Sequence, residues 1–277
     1  MIPEVPGFAF LERLSRPGRN SEVWLAQTAT GAEVALKVIL GGPPHLVARL
    51  EAEGRWLRRL GGKHHLVACH AVIANPPGLV LELAGRETLL ELLYLNGPDR
   101  APTPLQPDTA LRVTLEAADA VDWLHQNGVI HRDVKPSNVV LAANGTVRLV
   151  DLSVAAPNDP SSRPVDGWID EEIGSVGYVA PELLRDPKTA AAPVDVYGLA
   201  ATLYEALSGH LPFDFHQDET ETDLRRRIAA GELPVPLVAR IRAPAALGEL
   251  IARALSPDAA DRFQSVGAFV EALSPFA

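Results

Sequence analysis

The densest group of chemically capable side chains lies in one short stretch near the middle of the chain. It reads His131-Arg132-Asp133-Val134-Lys135-Pro136-Ser137-Asn138, and Asp151 follows thirteen residues after Asn138. Carboxylate and amide oxygens are ligands that hard divalent cations prefer, and an aspartate can also take up a proton. The stretch is therefore the first candidate for a functional site.

Further charged side chains occur upstream, among apolar stretches. Lys37 ends the run Val34-Ala35-Leu36-Lys37, and a lysine that must hold an anion at a fixed place needs a carboxylate to pin it. Glu51 and Glu53 are the candidates, and they point about 200° apart on one predicted helix. Taken singly, each of these charges is compatible with an ordinary surface position. Their combination between apolar strands makes a functional role a hypothesis to test against further motifs.

Hydrophobic periodicity places these groups on two kinds of element. The first third of the chain predicts strands at 8–14, 23–27, 34–40, 66–73 and 79–83, and one amphipathic helix at 45–60. The remainder predicts a helix that begins at Asp108 or Thr109 and ends at Gln126, and further helices at 194–208, 219–230, 245–255 and 266–273. A hairpin is predicted around Asn144-Gly145. Residues 154–176 lack periodicity and predict a long loop, and loops of that length are usually functional or disordered.

The stretch from His131 to Asn138 resembles the catalytic loop of the serine/threonine protein kinases, H-R-D-x-K-P-x-N. Four other marks of that family follow its order: the run ending at Lys37, Ala180-Pro181-Glu182, Asp195 in a helix, and Arg262. The resemblance covers residues 8 to 273. It implies an α+β, bilobal protein-kinase-like fold. A small antiparallel β lobe with one helix would span residues 1–83, and a larger, mainly helical lobe 84–277, with an activation segment at 151–182.

The resemblance also implies ATP and Mg²⁺, with Mn²⁺ as an alternative metal, and a protein substrate whose hydroxyl receives the γ-phosphate. Lys37 would hold the ATP phosphates. Glu53, seven residues before Leu60 as in the family, is preferred to Glu51 as its partner. Asn138 and Asp151 would bind the metal ions.

Proton transfer and recognition of the base fall to other matching positions. Asp133 would accept or orient the proton of the substrate hydroxyl, and Lys135 would neutralise the γ-phosphate. Leu81 would lie at the back of the adenine slot, and Glu82 to Ala84 would bond the base through their backbone. The predicted nucleotide-binding positions are Gly18, Val23, Ala35, Lys37, Leu81, Glu82, Ala84 and Val140.

The chain departs from the family in three places. Of the glycine-rich loop, Gly18 alone remains, which predicts weakened nucleotide affinity. Ser153 replaces the glycine of D-F-G, which predicts a restrained segment. Glu171 occupies the position of a phosphorylated threonine, and we hypothesise that it pairs with Arg132 and also with Arg49; a solvated acidic loop is the alternative. Ser175 is expected to contact the catalytic aspartate and lysine.

Several charged residues are expected to be architectural rather than catalytic. Asp195 is expected to accept backbone N–H bonds from the catalytic loop, and Glu182 is expected to form an ion pair with Arg262. The run Arg225-Arg226-Arg227 is expected to form a solvated helix face.

Composition excludes several classes of protein. The 35 acidic and 25 basic residues give a formal net charge of −10, the opposite of what a nucleic-acid binder usually carries. No apolar run approaches the roughly 18 residues of a membrane span. The single cysteine, Cys69, excludes an internal disulfide and a thiolate zinc cluster. A cytoplasmic protein is expected, and the composition is compatible with a bacterial source; no motif specifies an oligomeric state.

Three functions compete at this point. An active serine/threonine protein kinase is favoured because all five of its charged or amide positions are present. A pseudokinase, a nucleotide-binding scaffold with weak or absent transfer, is the alternative that the eroded loop and Ser153 motivate. A small-molecule kinase is disfavoured by Lys135-Pro136 and by Ala180-Pro181-Glu182, which in the family build a surface for peptide docking.

Overall fold

A computed structural model of the chain describes residues 5–15, 21–41, 44–94, 102–159, 161 and 174–277. Two predicted positions, Gly18 and Glu171, lie outside the described residues. The chain forms two compact units. The first consists of Met1–Glu87 and Val140–Ser153, and the second of Thr88–Val139 and Val154–Ala277. Residues 140–153, which the sequence places in the second lobe, therefore pack with the first unit.

The first unit is built on an antiparallel sheet with the strand order β1-β2-β3-β5-β4. Its strands are β1 (Phe8–Arg13), β2 (Glu22–Thr28), β3 (Glu33–Val38), β4 (Cys69–Ala74) and β5 (Pro77–Leu81). Gly31, with a φ of 85°, takes the left-handed conformation that the turn between β2 and β3 requires. One face of the sheet buries the apolar side chains of Val5, Ala26, Val34, Leu36, Val38 and Val80.

One helix, α1 (Pro44–Leu60), packs against this sheet in the first unit. The predicted leucine face is buried, as expected for an amphipathic helix. Gly54 lies where the helix approaches the sheet: an added Cβ would come within 2.8 Å of Leu79 and 3.1 Å of Val72. The missing side chain therefore permits the close approach that brings Glu53 next to the strands.

The second unit is mainly helical, which confirms the predicted α+β class. Its helices are α2 (Leu89–Leu93), α3 (Pro107–Gln126), α4 (Pro181–Arg185), α5 (Ala192–Ser208), α6 (Glu221–Ala229), α7 (Ala245–Ala254) and α8 (Val266–Leu273). Every residue of α5 from Pro193 to Ser208 is buried, so this helix forms the centre of the unit.

Short strands and 3₁₀ turns complete the described residues. The strands are β6 (Glu87–Thr88), β7 (Val129–Ile130), β8 (Val139–Leu141), β9 (Val147–Leu149) and β10 (Ala156–Pro157). The 3₁₀ turns are Pro136–Asn138, Pro187–Thr189, Leu237–Ala239, Ala259–Asp261 and Ser274–Phe276. β8 and β9 form the predicted hairpin, and β7 pairs with β10. None of the described helices combines the length and apolarity needed to cross a bilayer.

Two predicted boundaries are wrong for identifiable reasons. The helix expected to begin at Asp108 or Thr109 begins at Pro107, because a proline in the first turn lacks an N–H that would otherwise have no partner. The strand expected from residue 66 begins at Cys69, because Leu66 pairs with Leu149 and the N–H of Val67 donates to the Leu149 carbonyl.

The predicted ion pair between Glu182 and Arg262 is confirmed in the second unit. Nη1 and Nη2 of Arg262 donate to the two Glu182 carboxylate oxygens over 2.7 Å and 2.8 Å. The Arg262 side chain has no exposed surface, and its Nε donates to the carbonyl of Ser256. The guanidinium is therefore a buried cation whose charge is balanced by a single carboxylate from α4.

Glu182→Ala is expected to destabilise the protein by about 3–5 kcal/mol, because it leaves the Arg262 charge buried and uncompensated. Urea unfolding of the two proteins measures the difference. Glu249→Ala, at an exposed position on α7, is the control and is expected to change stability by less than about 0.5 kcal/mol. Equal unfolding midpoints for Glu182→Ala and the wild type would contradict this account.

Candidate active site

In the first unit, Lys37 joins two carboxylates. Its Nζ donates to the Glu53 carboxylate oxygens over 2.9 Å and 2.7 Å, and to Asp151 Oδ1 over 2.9 Å. Lys37 and Glu53 are buried, whereas Glu51 is exposed. The expected pairing of Lys37 with Glu53 rather than Glu51 is therefore confirmed, and the structure adds a direct contact with Asp151.

The protonation of this group follows from burial and charge. Burial alone would lower the pKa of Lys37, but the charges of Asp151 and Glu53 outweigh it and raise the pKa above its ordinary value. Burial raises the pKa of Glu53, and the Lys37 ammonium opposes that rise. Lys37 is accordingly a cation at neutral pH, held in place by Glu53 and Asp151.

Glu53 also holds the backbone that follows Asp151. The Leu152 N–H donates to Glu53 Oε1 over 3.3 Å, and the Ser153 N–H donates to Asp151 Oδ1 over 3.1 Å. Asp151 has a φ of 67°, a left-handed conformation that non-glycine residues rarely adopt. The left-handed residue of this segment is thus Asp151, two positions before the serine that replaces the family's glycine. Its side chain is 36% exposed, so its carboxylate is accessible to a cation.

In the second unit, Asp133 is held by three other predicted residues. Its Oδ2 lies 2.6 Å from Lys135 Nζ and accepts from Asn138 Nδ2 over 3.2 Å, while its Oδ1 accepts from the Ser175 N–H over 3.2 Å. Lys135 Nζ also donates to Ser175 Oγ over 2.7 Å. The expected contact of Ser175 with this aspartate and lysine is confirmed. These donors leave the Asp133 carboxylate a single orientation.

Asn138 is oriented by the same cluster. Its Nδ2 donates to the Asp133 backbone carbonyl over 2.8 Å as well as to the carboxylate. Because the amide nitrogen is used in this way, the side-chain oxygen is the atom that Asn138 can offer to a cation. Asn138 in the second unit and Asp151 in the first each offer an oxygen of the kind that Mg²⁺ prefers.

Asp195 fixes the backbone of the catalytic loop, as predicted. Its Oδ2 accepts from the His131 N–H over 2.8 Å, and its Oδ1 accepts from the Arg132 N–H over 2.7 Å. Burial alone would raise the pKa of Asp195, but the bond from His125 and the nearby donors hold it below the ordinary value. Arg132, with a φ of 68°, is a second left-handed non-glycine residue, and these bonds stabilise it.

The Arg132 side chain is buried and turned toward Val154, to whose carbonyl its Nε donates over 2.5 Å. The partner expected for it, Glu171, lies outside the described residues. The guanidinium is therefore anchored on one side by the backbone of Val154.

Three of the predicted adenine positions lie on neighbouring strands of the five-stranded sheet in the first unit. Ala35 on β3 is opposite Leu81 on β5, both are buried, and Val23 on β2 is opposite Lys37. Val140 belongs to β8. Apolar side chains from adjacent strands are typical of a slot for a flat aromatic base.

Glu82 uses one of its two backbone groups within the first unit. Its N–H donates to the Ala68 carbonyl over 2.9 Å, so this N–H is not available to a base. Its carboxylate accepts from the Ala68 N–H and from Arg148 Nε. The predicted segment also offers the Glu82 carbonyl and the backbone groups of Leu83 and Ala84, and Ala84 is buried.

Three features of the site escaped the sequence analysis. His125 Nε2 lies 2.7 Å from Asp195 Oδ2 although the two residues are 70 positions apart. The backbone at Gly85 lies close to β8, and only a residue without a side chain fits there, because an added Cβ would lie 2.3 Å from the Leu141 carbonyl oxygen. Tyr94 and Tyr178 both donate to the buried Glu205, whose pKa burial raises. Of these, Gly85, two residues after the end of a predicted strand, had a signal in the sequence.

This geometry agrees with the family comparison. The sequence pattern of the protein kinase domain matches residues 17–272, and the chain belongs to the protein kinase family. It is 34% identical over 234 residues to CBL-interacting protein kinase 4 of Oryza sativa subsp. japonica, covering 82% of this chain and 49% of that relative.

Bacterial relatives match over a larger share of the chain. Serine/threonine-protein kinases drp72 of Corynebacterium efficiens is 30% identical over 269 residues, covering 93% of this chain and 48% of the relative. Serine/threonine-protein kinase PknB of Mycobacterium tuberculosis is 32% identical over 258 residues, covering 90% and 39%. The chain thus spans about half the length of these relatives or less.

The carboxylate of Asp195 makes the stability of the protein dependent on pH. Because its pKa is lower in the folded protein than in the unfolded chain, its contribution is fully present above the ordinary carboxyl pKa of about 4 and is lost as the pH falls toward the folded value. Asp195→Asn is expected to cost about 2 kcal/mol or more at pH 7, since hydrogen bonds to a charged group are lost.

Urea unfolding of the wild type and Asp195→Asn between pH 7 and pH 3 measures this dependence. The difference in unfolding free energy is expected to stay constant down to about pH 5 and to shrink below about pH 4. The exposed Asp218, whose φ of 61° asparagine also tolerates, provides the control Asp218→Asn. A difference that stays constant down to pH 3 would be inconsistent with an ionised Asp195.

Proposed function

We propose that this chain transfers the γ-phosphate of ATP to serine and threonine hydroxyls of protein substrates. The single observation that carries the proposal is the Asp133 carboxylate, oriented by Lys135, Asn138 and Ser175 in a chain of the protein kinase family. In phosphoryl transfer the protein does little covalent chemistry, so positioned charges and a proton acceptor account for most of the catalysis.

Lys37 would bind the ATP phosphates. A buried ammonium that Glu53 already holds loses no side-chain freedom when the nucleotide arrives, and its positive charge matches the phosphates. The adenine ring would lie among Val23, Ala35, Leu81 and Val140. The Glu82 carbonyl and the backbone of Ala84 would bond its edge.

Asp151 and Asn138 would hold the divalent metal ions. Their carboxylate and amide oxygens suit Mg²⁺, and Mn²⁺ accepts the same donors. When bound, the metal supplies positive charge that neutralises the phosphate oxygens. The protein's own part is to keep the two side chains in place, Asp151 through Lys37 and Ser153, and Asn138 through Asp133.

Asp133 would take the proton of the substrate hydroxyl. As the hydroxyl oxygen bonds to the γ-phosphorus, the bond from that phosphorus to the bridging oxygen breaks, ADP leaves, and the proton passes to the Asp133 carboxylate. Lys135, whose Nζ lies between Asp133 and Ser175, would neutralise the transferred phosphoryl group. We propose specificity for serine and threonine over tyrosine because the sequence around Lys135 resembles that of the serine/threonine kinases.

We assign ATP binding and catalysis to different proposed lobes. Residues 1–83 would bind ATP, and residues 84–277 would carry the catalytic loop and the activation segment at 151–182, although 140–153 pack with the first unit. Protein substrates rather than nucleic acids suit the net charge of −10, and the cytoplasm is the compartment in which we place the activity.

The test of the proposed function is Asp133→Asn, which keeps the shape of the side chain but removes its capacity to accept a proton. Transfer from radiolabelled Mg·ATP to a basic protein is expected to fall about 100-fold or more. The exposed variant Asp218→Asn is expected to transfer at the wild-type rate. Transfer that is absent from the wild type, or that does not depend on Asp133, would favour the nucleotide-binding scaffold instead.

We also propose that Glu171 replaces an activating phosphate as the partner of Arg132. Arg132 is buried and anchored at Val154, so a carboxylate would suffice to balance its charge. Glu171→Ala is expected to lower the rate of transfer about tenfold or more, since it leaves a buried guanidinium without its proposed carboxylate. Glu172→Ala is the neighbouring control, and a Glu171→Ala variant that retains the wild-type rate would overturn the pairing.

A further inference from the structure

Three consecutive arginines on α6 occupy three different environments. Arg226 is exposed and pairs with Asp223, one turn away on the same helix. Arg227 pairs with Glu219 and Glu232. Arg225 is partly buried, and its Nη2 donates to the backbone carbonyl of Gly174 over 2.6 Å. The expected solvated face is therefore wrong for Arg225, which reaches the segment that precedes Ser175.

The Gly174 carbonyl belongs to the same peptide group as the N–H of Ser175. That N–H is one of the donors that orient Asp133, at 3.2 Å from Oδ1. A peptide group is planar, so its C=O and N–H turn together about the chain. A bond that fixes the carbonyl oxygen of Gly174 therefore fixes the direction in which the Ser175 N–H points.

This peptide group needs a restraint because the residue that supplies its carbonyl, Gly174, is a glycine. Gly174 has a φ of 75°, and an added Cβ would lie 2.8 Å from Val179, so a glycine is required here. Glycine also has the widest choice of backbone conformations, so the chain at this position has little stiffness of its own. The Arg225 guanidinium supplies an external restraint.

The hydrogen bonding of the Arg225 guanidinium is consistent with a role in positioning the Gly174–Ser175 peptide group. Its Nη1 is buried and has no hydrogen-bond partner among the described residues. Buried donors without partners cost free energy, so the side chain is not placed where its own hydrogen bonding is best satisfied. Its charge also polarises the peptide group whose carbonyl it contacts, which strengthens the N–H as a donor to an anion.

We propose that Arg225 is a positioning residue for Asp133. Through the Gly174–Ser175 peptide group it directs the Ser175 N–H at the carboxylate and keeps that carboxylate in one orientation. The inference rests on the proposed function, since it assigns to Arg225 an effect on phosphoryl transfer. It predicts a loss in kcat with little change in the KM for ATP, because Arg225 acts on the proton acceptor and not on Lys37.

The kinetic experiment compares Arg225→Ala with Arg226→Ala, the adjacent arginine on the same helix, using the full chain and Mg·ATP. Arg225→Ala is expected to lower kcat about tenfold and to leave the KM for ATP within about twofold. Guanidinium ion at low millimolar concentration is expected to restore part of the lost kcat in Arg225→Ala and none in the wild type. Equal kcat for the two variants, or no rescue, would overturn the proposal.

Amide hydrogen exchange at Ser175 provides a readout that does not depend on catalysis. Arg225→Ala is expected to exchange the Ser175 amide at least about tenfold faster than the wild type, and Arg226→Ala at the wild-type rate. If the wild type transfers no phosphate but Arg225→Ala still exchanges the Ser175 amide faster than the wild type, the proposed function is rejected. The restraint of the peptide group by Arg225 is then retained. Unchanged exchange would reject the restraint. Should Arg225→Ala not fold, Arg225→Gln, which removes the charge and keeps most of the stem, takes its place in both experiments.

Discussion

A carboxylate stays ionised inside a protein only where donors surround it, and in each unit one buried carboxylate fixes a candidate functional segment. In the first unit, Glu53 accepts from Lys37 and from the Leu152 N–H. In the second, Asp195 accepts from the N–H groups of His131 and Arg132. Each carboxylate thus accepts hydrogen bonds from backbone N–H groups of a candidate functional segment. Because the buried carboxylate needs these donors, it fixes the backbone conformation of that segment.

The same two carboxylates account for the strained backbone at the site. Asp151 and Arg132 are left-handed, with φ values of 67° and 68°, at a cost of about 1–3 kcal/mol each. A hydrogen bond to a charged group contributes about 1.5–3 kcal/mol, which is enough to offset that cost. Glu53 bonds the residue after Asp151, and Asp195 bonds Arg132 itself. Conformations that non-glycine residues avoid therefore persist where a buried anion holds them.

How far the sequence predicts this site depends on how local each contact is. The pairing of Lys37 with Glu53 was predicted from the resemblance, which places the glutamate seven residues before Leu60. Helical geometry then turns Glu51 away from it, so that Glu53 is buried and Glu51 is exposed. The contact of His125 with Asp195 was not, because 70 residues separate the two and nothing near either one indicates the other. The engaged N–H of Glu82 likewise depends on Ala68, on a separate part of the chain.

The arginines of α6 show why a run of like residues on a helix predicts so little. Successive helical residues point about 100° apart, so three neighbours cannot share one face. The packing of the helix decides which arginine is exposed to solvent and which contacts the rest of the protein. The composition of the run does not indicate this packing. Arg226 meets solvent, while Arg225 meets the Gly174 carbonyl. A basic run is therefore better analysed one position at a time, since a single member can act on the functional site while its neighbour serves only as a surface charge.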